Sequence, residues 1–374
     1  MCIRDRMNIM DKSFFGKTGI TTDKPVSPYL TWEKTRQYDL GLDMDMFNYR
    51  LNVKLDYYYK YTSSLIYDIP IPGSLYAFGA QVENAMEISN EGLELELQAD
   101  ILRESAVSWR MKFNMARNWN RFEKSYSGKD VVDGDGTLLV VGRPLNGLYV
   151  WAHRGYYNSD AEVPRLYKID GQEIYFNGVA TNGISGAVGD YRLLDLDGDG
   201  NPDSYYAGSP LPLAHGGWVN ELMWKNFDLN VLVNFTIGRK MINNRMGLGF
   251  SRQSEDGHLT KLFDYRKLRP WDGVNKKPNA PAWGNSLSMN TDSAIEKVHH
   301  LALKQITLGY NLPDRISKKA GLSGVRFFLT AENLFYLSNY SGGNPEVVNI
   351  YTGRDNGDTY PLPRKYTLGL TLNF

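Results

Sequence analysis

Oxygen-bearing side chains recur at every second position of one acidic stretch: Asp195, Asp197, Asp199, Asn201 and Asp203, with Gly200 among them. Alternating oxygens around a glycine are the ligand pattern of an EF-hand-like Ca²⁺ loop, because the hard cation needs oxygen donors and the chain must turn sharply around it. The position that would supply the closing bidentate carboxylate holds Tyr206. The alternative to Ca²⁺ is a solvated Asp/Gly turn that binds nothing, and no other cofactor is expected.

Glu94 and Glu96 are separated by one residue and so share one face of a strand, about 7 Å apart. That separation suits the two carboxylates of an inverting glycosidase, which makes a hydrolase the enzymatic alternative. Same-face charges recur on most strands of this chain, however, so the pair reads as part of a wet polar wall. His153, His215, His258, His299 and His300 show no metal-ligand spacing. The last two are adjacent and would point to opposite faces of a strand. Gly321-Leu322-Ser323-Gly324 lacks the second spacer of a nucleophile elbow, and no phosphate loop or dinucleotide fingerprint occurs. Cys2 is the one cysteine, so no intramolecular disulfide can form. No enzymatic activity is expected. Loop aromatics at Trp151, Tyr156, Tyr157, Tyr205 and Tyr206 could stack on sugar rings, against the alternative of interfacial or loop packing.

The elements available to position these groups are strands. Lys+Arg and Asp+Glu both total 42, so the formal charge is zero. No block of like charge offers a nucleic acid a footprint. Aromatic residues make up 13% of the chain, with 25 Tyr among them, and Tyr suits surfaces that are apolar on one side and wet at the tip. No run of about 18 apolar residues could cross a membrane as a helix. That does not argue against membrane strands, whose two faces average to mild polarity.

Alternation with period two is the dominant pattern. Tyr366, Leu368, Leu370, Leu372 and Phe374 form one face, opposite Thr367, Gly369, Thr371 and Asn373. Tyr38 to Met46, Leu51 to Tyr59, Leu93 to Asp100, Val107 to Met115, Phe227 to Phe235, Ile306 to Leu312 and Val325 to Ala331 repeat it. Runs of about ten residues fit a tilted bilayer crossing better than a sandwich strand of about five or six. The charged faces, with Glu94, Glu96, Gln98, Arg110 and Lys112 on two of the strands, suit a water-filled lumen. Short connections at 47–50 and 103–105 contrast with long ones at about 117–217 and 238–298, the asymmetry of outer-membrane barrels. A helical turn is expected around Arg315 to Ala320.

Seven segments carry a family resemblance. They are Leu30-Thr31-Trp32-Glu33-Lys34-Thr35-Arg36-Gln37-Tyr38, Ile88-Ser89-Asn90-Glu91-Gly92-Leu93-Glu94-Leu95-Glu96, Asp195-Leu196-Asp197-Gly198-Asp199-Gly200, Leu303-Lys304-Gln305-Ile306-Thr307-Leu308-Gly309-Tyr310-Asn311-Leu312-Pro313, Glu332-Asn333-Leu334-Phe335, Tyr340-Ser341-Gly342 followed by Asn344-Pro345-Glu346, and Tyr360-Pro361-Leu362-Pro363-Arg364-Lys365-Tyr366 running to Phe374. In this order they resemble the SusC/RagA type of TonB-dependent outer-membrane transporter of Bacteroidetes. Asn344 stands where that family usually has Asp, and Ala302 where it often has Arg.

The resemblance implies an all-β fold: the C-terminal portion, about half, of a transmembrane antiparallel β-barrel of about 22 strands with long extracellular loops. It covers residues 26–374 and leaves 1–25 as a non-matching, partly spurious start without the apolar core of a signal peptide. A signal peptide, an N-terminal sandwich domain, a TonB box, a plug domain and the first barrel half are expected upstream. The implied activity is energy-coupled import of glycans or oligopeptides across the cell outer membrane. The implied partners are a SusD-like surface lipoprotein, TonB, the glycan or peptide substrate and outer-membrane lipid, with no nucleic acid. A passive porin or adhesin barrel is the other alternative. A half barrel leaves two sheet edges that lipid cannot satisfy, so this chain alone is expected neither to insert nor to transport.

Overall fold

The computed structural model describes residues 7–14, 17–22, 27–72, 79–103, 105–132, 138–163, 165–167, 173–175, 188–196, 198, 203–244, 269–274, 277–282, 291–349, 351–356 and 360–374. Where apolar and polar residues alternate, the chain is extended, because period two gives each strand one face of each kind. β1 (Met7–Phe14) and β2 (Lys17–Thr22) form an antiparallel hairpin. Four long strands follow: β3 (Lys34–Met46), β4 (Leu51–Pro70), β5 (Ala80–Leu102) and β6 (Val107–Lys124). Short loop strands come next: β7 (Val131–Val132) with β8 (Leu138–Leu139), β9 (Leu148–Trp151), β10 (His153–Tyr156), β11 (Arg165–Tyr167) with β12 (Glu173–Tyr175), β13 (Tyr191–Leu193) and β14 (Ser204–Gly208). Of these, β9 pairs with β14 and β10 with β13. Then come β15 (Ala214–Trp224), β16 (Phe227–Asn243), β17 (Ile295–Asn311), β18 (Gly324–Ser338), β19 (Arg354–Asp355) and β20 (Lys365–Asn373).

The main sheet runs in the order β20-β18-β17-β16-β15-β6-β5-β4-β3, with β19 added in parallel to the end of β16. Strands β15, β16, β17, β18 and β20, and β6 against β15, pair antiparallel. The expected helical turn is present as α1 (Asp314–Ser317), continued by a 3-10 turn at Lys318–Ala320.

Register lines the faces up. Leu368, Leu329, Leu308, Leu229, Leu222 and Trp109 stand side by side on six successive strands. One row beyond, Leu370, Phe327, Tyr310, Phe227, Trp224 and Val107 do the same. The row facing the other way is Thr367, Thr330, Thr307, Asn230, Glu221 and Arg110. The apolar rows are open: Leu368 is 81% exposed and Phe374 92%. A soluble sheet would bury that face, since a contiguous apolar belt in water is an aggregation surface. Here the belt faces outward, as it does when the solvent is lipid. The row nearest the Lys225-Asn226 turn is aromatic, with Trp224 on Phe227 at 6.2 Å, Phe227 on Tyr310 at 4.7 Å and Lys225 Nζ 5.1 Å from the Trp224 ring. Amphipathic rings and a cation at one level mark a membrane–water boundary.

Several strands exceed the expected ten residues. β4 has 20, β5 has 23 and β6 has 18. At about 3.3 Å per residue β5 is about 75 Å long, against a hydrocarbon core of about 30 Å. The long connection expected from 117 therefore begins after Lys124, and the one expected from 238 begins after Asn243. In β16 the cause is a bulge. Gly238 has φ +73° and the register with β17 shifts between Thr236 and Arg239. The shift exchanges inward and outward positions, which hides the strand from a period-two reading.

The chain divides into two compact units. The first comprises residues 1–42, 55–94 and 118–145, and the second 43–54, 95–117 and 146–374. In the first, Met86, Phe122, Val131 and Leu139 form a buried apolar cluster packed by Leu65, Tyr67, Ala85, Ile88 and Leu145. The second holds two such clusters: Leu148, Val150, Ala207, Ile242 and Ala294, and separately Met241, Val298, Tyr340 and Val348. These clusters lie largely where loop segments fold onto strand ends, so the loops have cores of their own.

Candidate functional site

The polar face of the second unit holds an open cavity of about 780 Å³. Glu96 and Gln98 reach it from β5, Lys112 and Asn114 from β6, and Asn52 and Lys54 from β4. Three of the expected lumen-lining residues, Glu96, Gln98 and Lys112, thus meet at one place. Arg110 lies on the same face, its Nε 2.7 Å from Asp100 Oδ1. Lys112 Nζ is 2.9 Å from Glu221 Oε1 on β15. Glu94 is exposed and belongs to the first unit.

The rest of the lining has no signal in the sequence. His215 and Gly216-Gly217 come from β15, Asn234, Thr236 and Arg239 from β16, His300 from β17, and Glu346 from the segment before β19. That segment is Asn344-Pro345-Glu346, where Asn344 caps a 3-10 turn by accepting the Glu346 amide at 2.9 Å. The bulge at Gly238 delivers Arg239, which is buried. Its Nη1 and Nη2 donate to the carbonyls of Pro345 at 3.3 Å and Val348 at 3.0 Å. Glu346 takes Lys304 Nζ at 3.2 Å and lies 4.0 Å from His300 Nε2. His299 and His300 do diverge: His300 is buried, while His299 is exposed and its Nδ1 accepts the Gly238 amide at 3.3 Å. The Asn-Pro-Glu motif was visible in the sequence, but only the fold shows that it closes onto the cavity.

Two strands farther along, Asp228 on β16 and Arg326 on β18 pair across β17, with contacts of 2.5 and 3.2 Å. They reach each other because Gly309 lies between them: a Cβ there would stand 2.4 Å from Arg326 Nη2 and both Asp228 oxygens.

The loop aromatics are held by their own strands. Trp151 pairs with Ser204, and Tyr205 with Val150. Tyr205 donates to Asp292 Oδ2 at 3.2 Å, and His153 Nδ1 contacts the other oxygen of the same carboxylate. Tyr156 stacks on Tyr191 at 5.3 Å, and His153 meets the Tyr191 edge at 4.7 Å. Burial pushes the phenol pKa values of Tyr156, Tyr191 and Tyr205 upward, and the negative charge of Asp292 adds to this at Tyr191 and Tyr205. Tyr157 is buried, its phenol raised by burial too, and Tyr206 stacks obliquely on Tyr149 at 5.6 Å.

In the acidic stretch, Asp195 Oδ1 accepts the Gly198 amide at 2.6 Å and Asp203 accepts the Leu196 amide. Asp197, Asp199 and Asn201 lie outside the described residues. At the C-terminus, Tyr366, Leu368, Leu370, Leu372 and Phe374 are all exposed on the outward face. No helix among the described residues is long and apolar enough to cross a membrane, which says nothing of strands.

A family model described as "TonB dependent receptor-like, beta-barrel" matches residues 9–207. TonB-dependent receptor P26 of Formosa agariphila is 30% identical over 96% of this chain and 36% of its own length. TonB-dependent receptor SusC of Bacteroides thetaiotaomicron is 27% identical over 96% of this chain and 34% of its own. Among solved structures, the RagAB peptide transporter superposes with a TM-score of 0.76 at 23% identity, over 99% of this chain and 38% of that one. The chain thus spans about a third of the length of the curated relatives it matches.

Proposed function

Since the chain belongs to the TonB-dependent receptor-like β-barrel family of the outer membrane, we propose that the protein containing it imports glycans or oligopeptides, with TonB supplying the energy and a SusD-like surface lipoprotein as partner. The observation that carries this reading is the division of one sheet into an outward apolar belt and a charged inner wall holding an open cavity. A belt of that kind seats the wall in lipid, and the wall offers polar cargo hydrogen bonds and charges along its path. The work is binding and passage, and the cargo leaves chemically unchanged. The names of the relatives add support: one is SusC, and a structural neighbour is called a peptide transporter.

The test uses cells carrying the full-length gene, supplied with labelled oligopeptides or oligosaccharides. Deleting the gene, the neighbouring lipoprotein gene or TonB is expected to abolish uptake of one of these pools. Uptake that persists without TonB would replace this reading with a passive porin.

A further inference from the structure

Resting on the importer reading, we infer that Arg239 and His300 form a binding site for a carboxylate group of the cargo, set into the wall of the cavity. Arg239 is 6% exposed and His300 9%. Both line the cavity and both meet the same turn, Arg239 through the Pro345 and Val348 carbonyls and His300 through Glu346. The two carbonyls are neutral, so they occupy part of the guanidinium fork without answering its charge. Arg239 Nε–H has no hydrogen-bond partner, and neither has His300 Nδ1. The nearby carboxylate, Glu346, is engaged by Lys304 at 3.2 Å. Among the described residues Arg239 has no ion pair. A buried guanidinium with an idle donor and no counter-charge is unfavourable in an empty site. It becomes favourable when an anion arrives, and the planar fork matches a carboxylate.

The charge of the wall selects the kind of anion. Three cations line the cavity (Lys54, Lys112 and Arg239) against two carboxylates (Glu96 and Glu346), which leaves one positive charge with His300 neutral. One negative charge balances that; a phosphate dianion would overshoot it and meet Glu96 and Glu346 as like charges. The carboxylate comes either from an acidic oligopeptide or from a uronic-acid oligosaccharide, and the experiment separates the two.

The full-length transporter, purified in detergent, is titrated calorimetrically with a glutamate-containing pentapeptide and its glutamine counterpart. In a second arm it is titrated with trigalacturonate and its methyl ester. One acid is expected to bind at least tenfold more tightly than its neutral partner, and the arm in which it does so names the source. Arg239→Gln is expected to erase that preference, acid and neutral forms then binding within twofold of each other. His300→Gln is expected to reduce the preference partially. Equal binding of acid and neutral forms by the wild type would overturn the inference. So would an Arg239→Gln protein, verified as folded by its heat-modifiable migration, that loses both ligands equally. If Arg239→Gln fails to fold, Arg239→Lys retains the charge and must keep part of the preference. Importer and site fail separately: an acid preference in a protein that supports no uptake removes the importer reading and keeps the site, and uptake without the preference does the reverse.

Discussion

Gly309 shows how a missing side chain can matter as much as one that is present. Asp228 and Arg326 lie two strands apart, and they touch only because nothing projects from the residue between them. Gly309→Ala is expected to open the pair. Because the two side chains keep 24% and 35% of their exposure, the loss in stability should be under about 1 kcal/mol. The sharper measure is a double-mutant cycle of Asp228→Asn with Arg326→Gln, followed by urea unfolding: its coupling energy should fall towards zero in the Gly309→Ala background. Unchanged coupling there would show that the gap is incidental. The buried tyrosines give a second expectation at this scale. Their raised phenol pKa values mean that the folded loop favours the neutral form. That contribution is present in full below the ordinary phenol value of about 10 and is lost as pH rises from there through the raised values. Proteolysis of the 146–213 region should therefore stay constant from neutrality to about pH 10 and accelerate above it. Acceleration beginning near neutrality would assign the loop's stability to other groups.

Among the elements, β18 separates the two solvents within two adjacent residues. Leu329 lies in an apolar row and is exposed to lipid, while Thr330 is buried on the inner face and shares a 2.9 Å hydrogen bond with Thr307. Leu329→Arg should destabilise the inserted barrel of the full-length protein by about 2–4 kcal/mol, the cost of a cation near the bilayer midplane. Leu337→Arg, farther along the outward row, should cost less if the strand crosses as its register implies. Equal costs, read from unfolding in liposomes, would argue against that placement. This is also the scale at which the sequence was most legible. β20, β3 and the near halves of β5 and β6 keep strict alternation, and each is a strand where expected. The far halves were obscured for different reasons. Past Arg117, in the first compact unit, Phe122 of β6 is buried against Met86, Val131 and Leu139 rather than exposed, so the two-solvent pattern no longer applies. In β16, Gly238 inverts the pattern, and Arg239 looks like an outward position until the bulge is seen. Nothing local marks His300: its neighbour is also histidine, and a local pattern carries no trace of a turn arriving from residue 345.

For the whole molecule, the sheet order begins at β20 and ends at β3, so each of these strands pairs on one side within it. Unpaired backbone groups facing hydrocarbon cost several kcal/mol each. The 374-residue chain on its own is therefore expected to give no heat-resistant, fast-migrating species after refolding into detergent; such a band would show that the two edges have found each other. One further consequence comes from the length of β4, β5 and β6. They are longer than one crossing of the hydrocarbon core requires, and the segments beyond the lipid-facing rows carry apolar cores of their own. Mutation can then rework those segments, one insertion at a time, without disturbing the lipid-facing rows. The part that meets water can thus vary while the part that meets lipid stays the same.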